Sequence, residues 1–211
     1  MTIAEKLTTV AENQQRVYDA GAKSEYDHFW DEFQRKGAAV PYNYAFAYSR
    51  YDDETYNPKY DIVCSSGSST AQQTFYKATK ITDTKVTTDF RLATSLLRTF
   101  DSASVLVTIR KLIVKDTQEF SNTFSECPAL QNITIEGTIG KSISFSSCSK
   151  LTVESMKSII SCLKDYSGTS SANSCTVTFP SARWTALEED SAAPDGGTWK
   201  DYVMYTLCWN T

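Results

Sequence analysis

Eight carboxylates stand between residues 83 and 154: Asp83, Asp89, Asp101, Asp116, Glu119, Glu126, Glu136 and Glu154. Two such groups about 5–9 Å apart in a groove would cleave a polysaccharide, one as acid and the other as nucleophile or base. None recurs in register with another as a pair, so no dyad is expected. Ser/His/Asp chemistry has only His28 to draw on, set between Asp27 and Phe29 with no second ligand or nucleophile nearby. Neither a G-x-S-x-G elbow nor a glycine-rich phosphate loop occurs. Six cysteines (Cys64, Cys127, Cys148, Cys162, Cys175, Cys208) form no C-x-x-C pair and no zinc-like spacing with histidine. They read as reduced, mostly buried thiols. The expectation is a protein that is not an enzyme and uses no metal or cofactor.

What remains for chemistry is contact. The stretch YNYAFAYSRYDDETYNPKY holds six of the chain's 12 tyrosines, and tyrosine gives large contact area with few torsions to freeze. Tyr42, Tyr44, Tyr48 and Tyr51 are the candidate ligand-binding residues; the alternative is that these rings cover the open end of whatever follows. Tyr42, Tyr44, Phe46 and Tyr48 alternate as a strand with one aromatic face would. The acidic run Asp52-Asp53-Glu54 lacks the ligand spacing and glycine of a calcium loop and reads as solvated.

These residues need elements to hold them. Thr2-Ile3-Ala4-Glu5 has the form of a capping box, and Ile3, Leu7, Val10 and Val17 give the helix it starts a narrow apolar stripe ending near Gly21. That stripe suits packing on its own domain or a short self-associating coil, hence a homo-oligomer. Tyr26, Phe29, Trp30 and Phe33 collect on one face of a second helix ended by Gly37. The small, polar CSSGSST at 64–70 marks a boundary.

Beyond it the pattern F-x-x-[A/C]-x-x-[I/L] recurs: Phe75, Ala78, Ile81; Phe100, Ala103, Leu106; Phe124, Cys127, Leu130; Phe145, Cys148, Leu151. The steps are 25, 24 and 21 residues. Such a period points to stacked units, each unable to bury its apolar face alone, with phenylalanine, small and aliphatic ladders running through the stack. Phe90, Ala93 and Leu96 also match, out of phase, ten residues before Phe100. The segments VTIRKLIVKDTQEF and QNITIEGTIGKSISF read as brief strands. After Leu151, Thr152 is placed as N-cap of a helix whose face is Val153, Met156, Ile159, Ile160 and Leu163. SGTSSANS then reads as a loop, CTVTF as a strand, TALEED as a capping-box helix start and APDGG as a turn. Cys127 and Cys148 fall one coil apart, near enough in principle for a disulfide, while buried free thiols explain them equally well. Cys127→Ser is expected to cost roughly 1–2 kcal/mol through a buried hydroxyl.

The F-x-x-C-x-x-L units followed by Ile/Thr strands resemble the BspA-like leucine-rich repeat family, bacterial proteins with curved solenoids used in adhesion and protein recognition. LTVESMKSIISCLKDYSGT is similar to the closing element of members encoded by phages and prophages of gut bacteria, and IAEKLTTVAENQQRVYDAG with YDHFWDEFQ and NPKYDI to their N-terminal region. The resemblance implies an α/β fold, a short right-handed leucine-rich-repeat solenoid of about four coils with an N-terminal helical and aromatic cap and a C-terminal α/β cap. The parts are an N-terminal region over 1–63, the solenoid over 64–151 and a C-terminal capping region over 152–211. It further implies a non-enzymatic structural or recognition protein, phage tail or baseplate-associated, that binds a host surface or virion protein. A cell-surface adhesin is the alternative, and a polysaccharide-cleaving solenoid a distant third.

Totals set the outer limits. With 21 basic and 25 acidic residues, net charge −4, and no Lys/Arg run longer than two, a nucleic-acid-tracking surface is not expected. The partner is a protein or a cell-surface polysaccharide. The N-terminus lacks the features of a secretory signal and no segment reaches bilayer-spanning length. The expectation is a soluble product made in the bacterial cytoplasm, without membrane insertion, and virion-associated.

Overall fold

The computed structural model describes residues 41–47 and 61–211, all within the compact unit 39–211. The two helices expected in the N-terminal region, His28, Tyr48, Tyr51 and the acidic run at 52–54 lie outside the described residues. Strands β1 (Ile62–Val63), β2 (Thr87–Asp89), β3 (Thr108–Val114) and β4 (Asn132–Gly137) pair in that order. Every pairing is parallel, Ile62 opposite Thr88, Thr88 opposite Leu112, and Leu112 opposite Ile135. Consecutive parallel strands joined by returning chain make a β-solenoid, here of about three turns. The repeat count suggested about four coils; the fourth unit, Phe145 to Leu151, leads instead into helix α1 (Val153–Ser161). A smaller parallel pair, β5 (Ile143–Ser144) and β6 (Val177–Thr178), is followed by α2 (Ser181–Asp190) and α3 (Trp199–Asp201), which runs into a π turn at Tyr202–Thr206.

The expected ladders form the core. Phe75, Phe100, Phe124 and Phe145 are fully buried and stacked, with ring centroids 5.1, 5.5 and 4.5 Å apart. Two rungs beyond the repeat extend the column: Phe46 lies 4.9 Å from Phe75, and Phe179 5.5 Å from Phe145. Trp184 meets Phe179 edge-on at 5.1 Å. Ala78, Ala103, Cys127 and Cys148 make the small column, and Ile81, Leu106, Leu130 and Leu151 the aliphatic one, all buried.

A threonine precedes the ring at Phe75, Phe100 and Phe124, and each is buried. Thr99 Oγ1 lies 2.8 Å from both the Ala71 and Leu96 carbonyls, while the Thr74 and Thr123 hydroxyls donate to Ala71 and Leu96 at 2.9 and 2.8 Å. These carbonyls belong to turns and find no full strand ladder, so the hydroxyls satisfy polar groups whose burial would otherwise be costly.

Of the strand expected over Tyr42–Tyr48, the described part, residues 42–47, is instead a turn. The Tyr42, Tyr44 and Phe46 N–H groups do donate to Thr70, Gln72 and Thr74, as alternate residues of a parallel strand would. Tyr44, however, takes φ +59°, which swings its side chain out while Tyr42 and Phe46 point inward, so the alternation marks a tight bend. TALEED does not start a helix either: α2 begins at Ser181 after Pro180, whose φ of −58° suits helix entry. SGTSSANS, β6 and the turn with Gly196 at φ +84° fall where expected.

Helix α1 solves a problem that β4 poses. A further strand would have taken the outward N–H groups of Ile133 and Ile135; here Ser155 Oγ accepts the first at 2.9 Å and Ser158 Oγ the second at 3.1 Å. Ser155 donates in turn to the Gln131 carbonyl at 2.9 Å, and Thr152 caps the helix as expected. Covering an edge in this way removes a template for unwanted pairing. Ser155→Ala leaves a buried N–H without an acceptor and should cost about 1–3 kcal/mol, read by chemical denaturation, with faster amide exchange at Ile133. An unchanged midpoint would mean that the helix does not close this edge.

All six cysteines are free. Cys127 donates to the Phe100 carbonyl at 2.9 Å. Burial pushes the Cys64, Cys127 and Cys148 thiols up, the last to about 12. At pH 8, alkylation of the folded protein should therefore label the partly exposed Cys208 first and spare these three. Peptide mass spectrometry reads this, and early labelling of Cys127 would contradict a closed column.

Candidate interaction surface

The turns that bury the phenylalanines also present side chains outward. Two residues before each of the first four rings the backbone is left-handed: Tyr44, Gln73, Arg98 and Asn122, with φ of 59, 56, 55 and 53°. Two residues after Phe75, Phe100 and Phe124 it is left-handed again, at Lys77, Ser102 and Glu126. None is glycine, although this region costs other residues roughly 1–3 kcal/mol each. Backbone bonds between coils hold the bends: Gln73 N–H to Leu97, Arg98 N–H to Ser121, Lys77 N–H to Asp101, Ser102 N–H to Ser125. The result is two outward columns flanking the buried rings, one side chain per rung.

Arg98 is the fixed point of the first column. Its Nε–H donates to Asp101 Oδ2 at 2.5 Å, one Nη2–H donates to Tyr76 Oη at 3.2 Å, and its guanidinium carbon lies 4.6 Å from the Tyr76 ring centre. Asp101 is 4% exposed, which makes the pairing obligatory for its carboxylate. The hydrogen bond to Asp101 raises the guanidinium further above its already high range. Ser102 Oγ sits 2.9 Å from both Asp101 Oδ1 and Glu126 Oε2, joining the two columns. Such a surface can donate and accept hydrogen bonds in fixed positions.

The sheet face is charged but internally paired. A bulge sets Arg110 and Lys111 against the single residue Thr134, the freed Arg110 N–H donates to Thr84 Oγ1 at 3.1 Å, and Arg110 bridges Asp83 at 2.9 Å. Lys111 pairs with Glu136, and Arg91 with Asp89. A shallow depression in the C-terminal region is lined by Glu188, Ser191, Gly197, Thr198 and Lys200. Glu188 there accepts the Trp199 and Lys200 N–H groups at 2.9 Å each, so its carboxylate is occupied in holding α3.

Of the tyrosines singled out from sequence, Tyr42 is 2% exposed and offers no ring to a ligand. Tyr44 is 55% exposed and heads the first column. Sequence reasoning missed Gln73, Arg98 and Asn122, although each stands two places before a repeat phenylalanine. Among the described residues no group of three or more His, Cys, Asp or Glu side chains is placed to hold a metal ion, and no helix is long and apolar enough to cross a membrane. No family model matches this chain, nor does any curated protein or any solved structure.

Proposed function

We propose that this chain is a non-enzymatic recognition or structural protein of the BspA-like leucine-rich-repeat kind, carried by a phage tail or baseplate, which binds a host surface or a virion protein. The observation that supports this reading is the stacked phenylalanine column, because it holds outward side chains at one-rung intervals on backbone that coil-to-coil hydrogen bonds fix. A binding surface gains from such preorganisation, since little ordering cost is left at the moment of contact. In this reading the C-terminal α/β region closes the stack. The test is binding of fluorescently labelled protein to a panel of gut bacteria, with protease-treated and polysaccharide-stripped cells as controls. Saturable, strain-selective binding supports host recognition; absence of binding at micromolar protein removes the host surface as partner and directs the search to a neighbouring virion protein.

A further inference from the structure

We propose that the column Tyr44, Gln73, Arg98, Asn122 binds an extended neutral glycan, about one sugar ring per rung; this rests on the recognition reading above. The chemistry of the four side chains leads there. An exposed ring at one end can stack on the apolar face of a pyranose. Two planar amides follow at other rungs, and a carboxamide both donates to and accepts from sugar hydroxyls. The Tyr44, Gln73 and Asn122 side chains make no hydrogen bond to any described residue. Arg98 spends two of its N–H donors, on Asp101 and Tyr76, and three of the guanidinium's five remain.

Spacing agrees with this. The rungs lie 4.5 to 5.5 Å apart along the ladder, close to the length of one sugar ring in an extended chain. Charge does not call for an anionic polymer: the one cation in the column, Arg98, is paired with Asp101, and on the second column Lys77 and Glu126 carry opposite signs. A protein partner of ordinary affinity would cover about 800 Å² per side with a desolvated apolar centre, and this column offers a single ring.

The test uses the full-length chain, titrated calorimetrically with neutral hexasaccharides of β1,4-, β1,3- and α1,4-linked glucose and of β1,4-linked mannose, and with a hexagalacturonate as the acidic arm. At least one neutral hexasaccharide should bind saturably and more tightly than the acidic one. Tyr44→Ala and Asn122→Gly should each weaken it about tenfold, the worth of one good contact, while Glu189→Gln on the exposed side of α2 leaves it unchanged. Asn122→Gly removes the amide yet suits the left-handed backbone, so loss of binding in it is not loss of fold. No saturable neutral binding at millimolar sugar, preference for the galacturonate, or indifference to both column variants overturns the inference. A protein that binds cells saturably yet fails here loses the glycan and keeps the recognition reading; one that binds neither cells nor glycans loses the glycan and the host surface, and leaves a virion protein as the partner.

Discussion

Gly137→Ala should destabilise the fold by at least about 4 kcal/mol, in the range that single substitutions reach only by breaking something specific. Gly137 ends β4 opposite Val114, the last residue of β3. Its φ is +100°, and a Cβ there would stand 2.1 Å from the Val114 carbonyl oxygen. That oxygen is backbone in a buried strand, so it cannot move aside as a flexible side chain would. Gly196→Ala is the control: φ is +84° but nothing lies within 4 Å of the new Cβ, so only conformational strain is charged, about 1 kcal/mol. Urea denaturation of the two variants separates them. Equal costs would mean that the coils do not approach as closely at the end of β4 as the backbone indicates.

Close approach of this kind is invisible in the sequence, where EGTIG falls within a segment that reads only as brief strands. The ladders were legible because their side chains bury identically on every coil. What the pattern encodes, however, is a turn. The Ala78, Ala103 and Cys148 N–H groups each donate to the carbonyl of the phenylalanine three places earlier, and so does Ala93 to Phe90. Phe90 therefore matches out of phase for a physical reason: it makes the same turn elsewhere on the coil, stacked between Cys64 and Val114 by the strand register. The end rungs escaped because neither Phe46 nor Phe179 is followed six places on by an aliphatic residue. The dipeptide Thr-Phe at 74, 99, 123 and 178 would have found Phe179, since the threonine column recurs on the same step.

Less of the surface could be read. Tyr44 was named for being aromatic, in company with Tyr42, and only the left-handed φ at Tyr44 sends one ring outward and leaves the other in the core. Gln73, Arg98 and Asn122 are ordinary polar residues whose types carry no pattern, and they form a column only because their backbone bends recur. The bulge at Arg110 and the closure of β4 by Ser155 depend likewise on pairing between residues more than 20 places apart, 26 for Arg110 with Thr84 and 22 for Ile133 with Ser155.

Phe100→Ala should be as damaging as the glycine change, at about 3–5 kcal/mol, and for a reason that tests the architecture itself. Phe100 is fully buried with a ring on either side, at 5.1 and 5.5 Å. Its loss opens a cavity and leaves both neighbours without a face to stack on. Phe100→Leu retains most of the burial and loses chiefly the two ring contacts, each worth roughly 0.5–1.5 kcal/mol, so it should fall well short of the alanine variant. In a stack stabilised by neighbour-to-neighbour coupling, a break in the middle also divides one cooperative unit into two. Phe100→Ala should thus broaden the thermal transition as well as lower its midpoint, whereas a cavity in a conventional core lowers the midpoint alone. A sharp transition shifted by only a few degrees would show that the phenylalanines fill space without coupling the coils. The outward columns would then lack the rigid spacing on which binding by successive rungs depends.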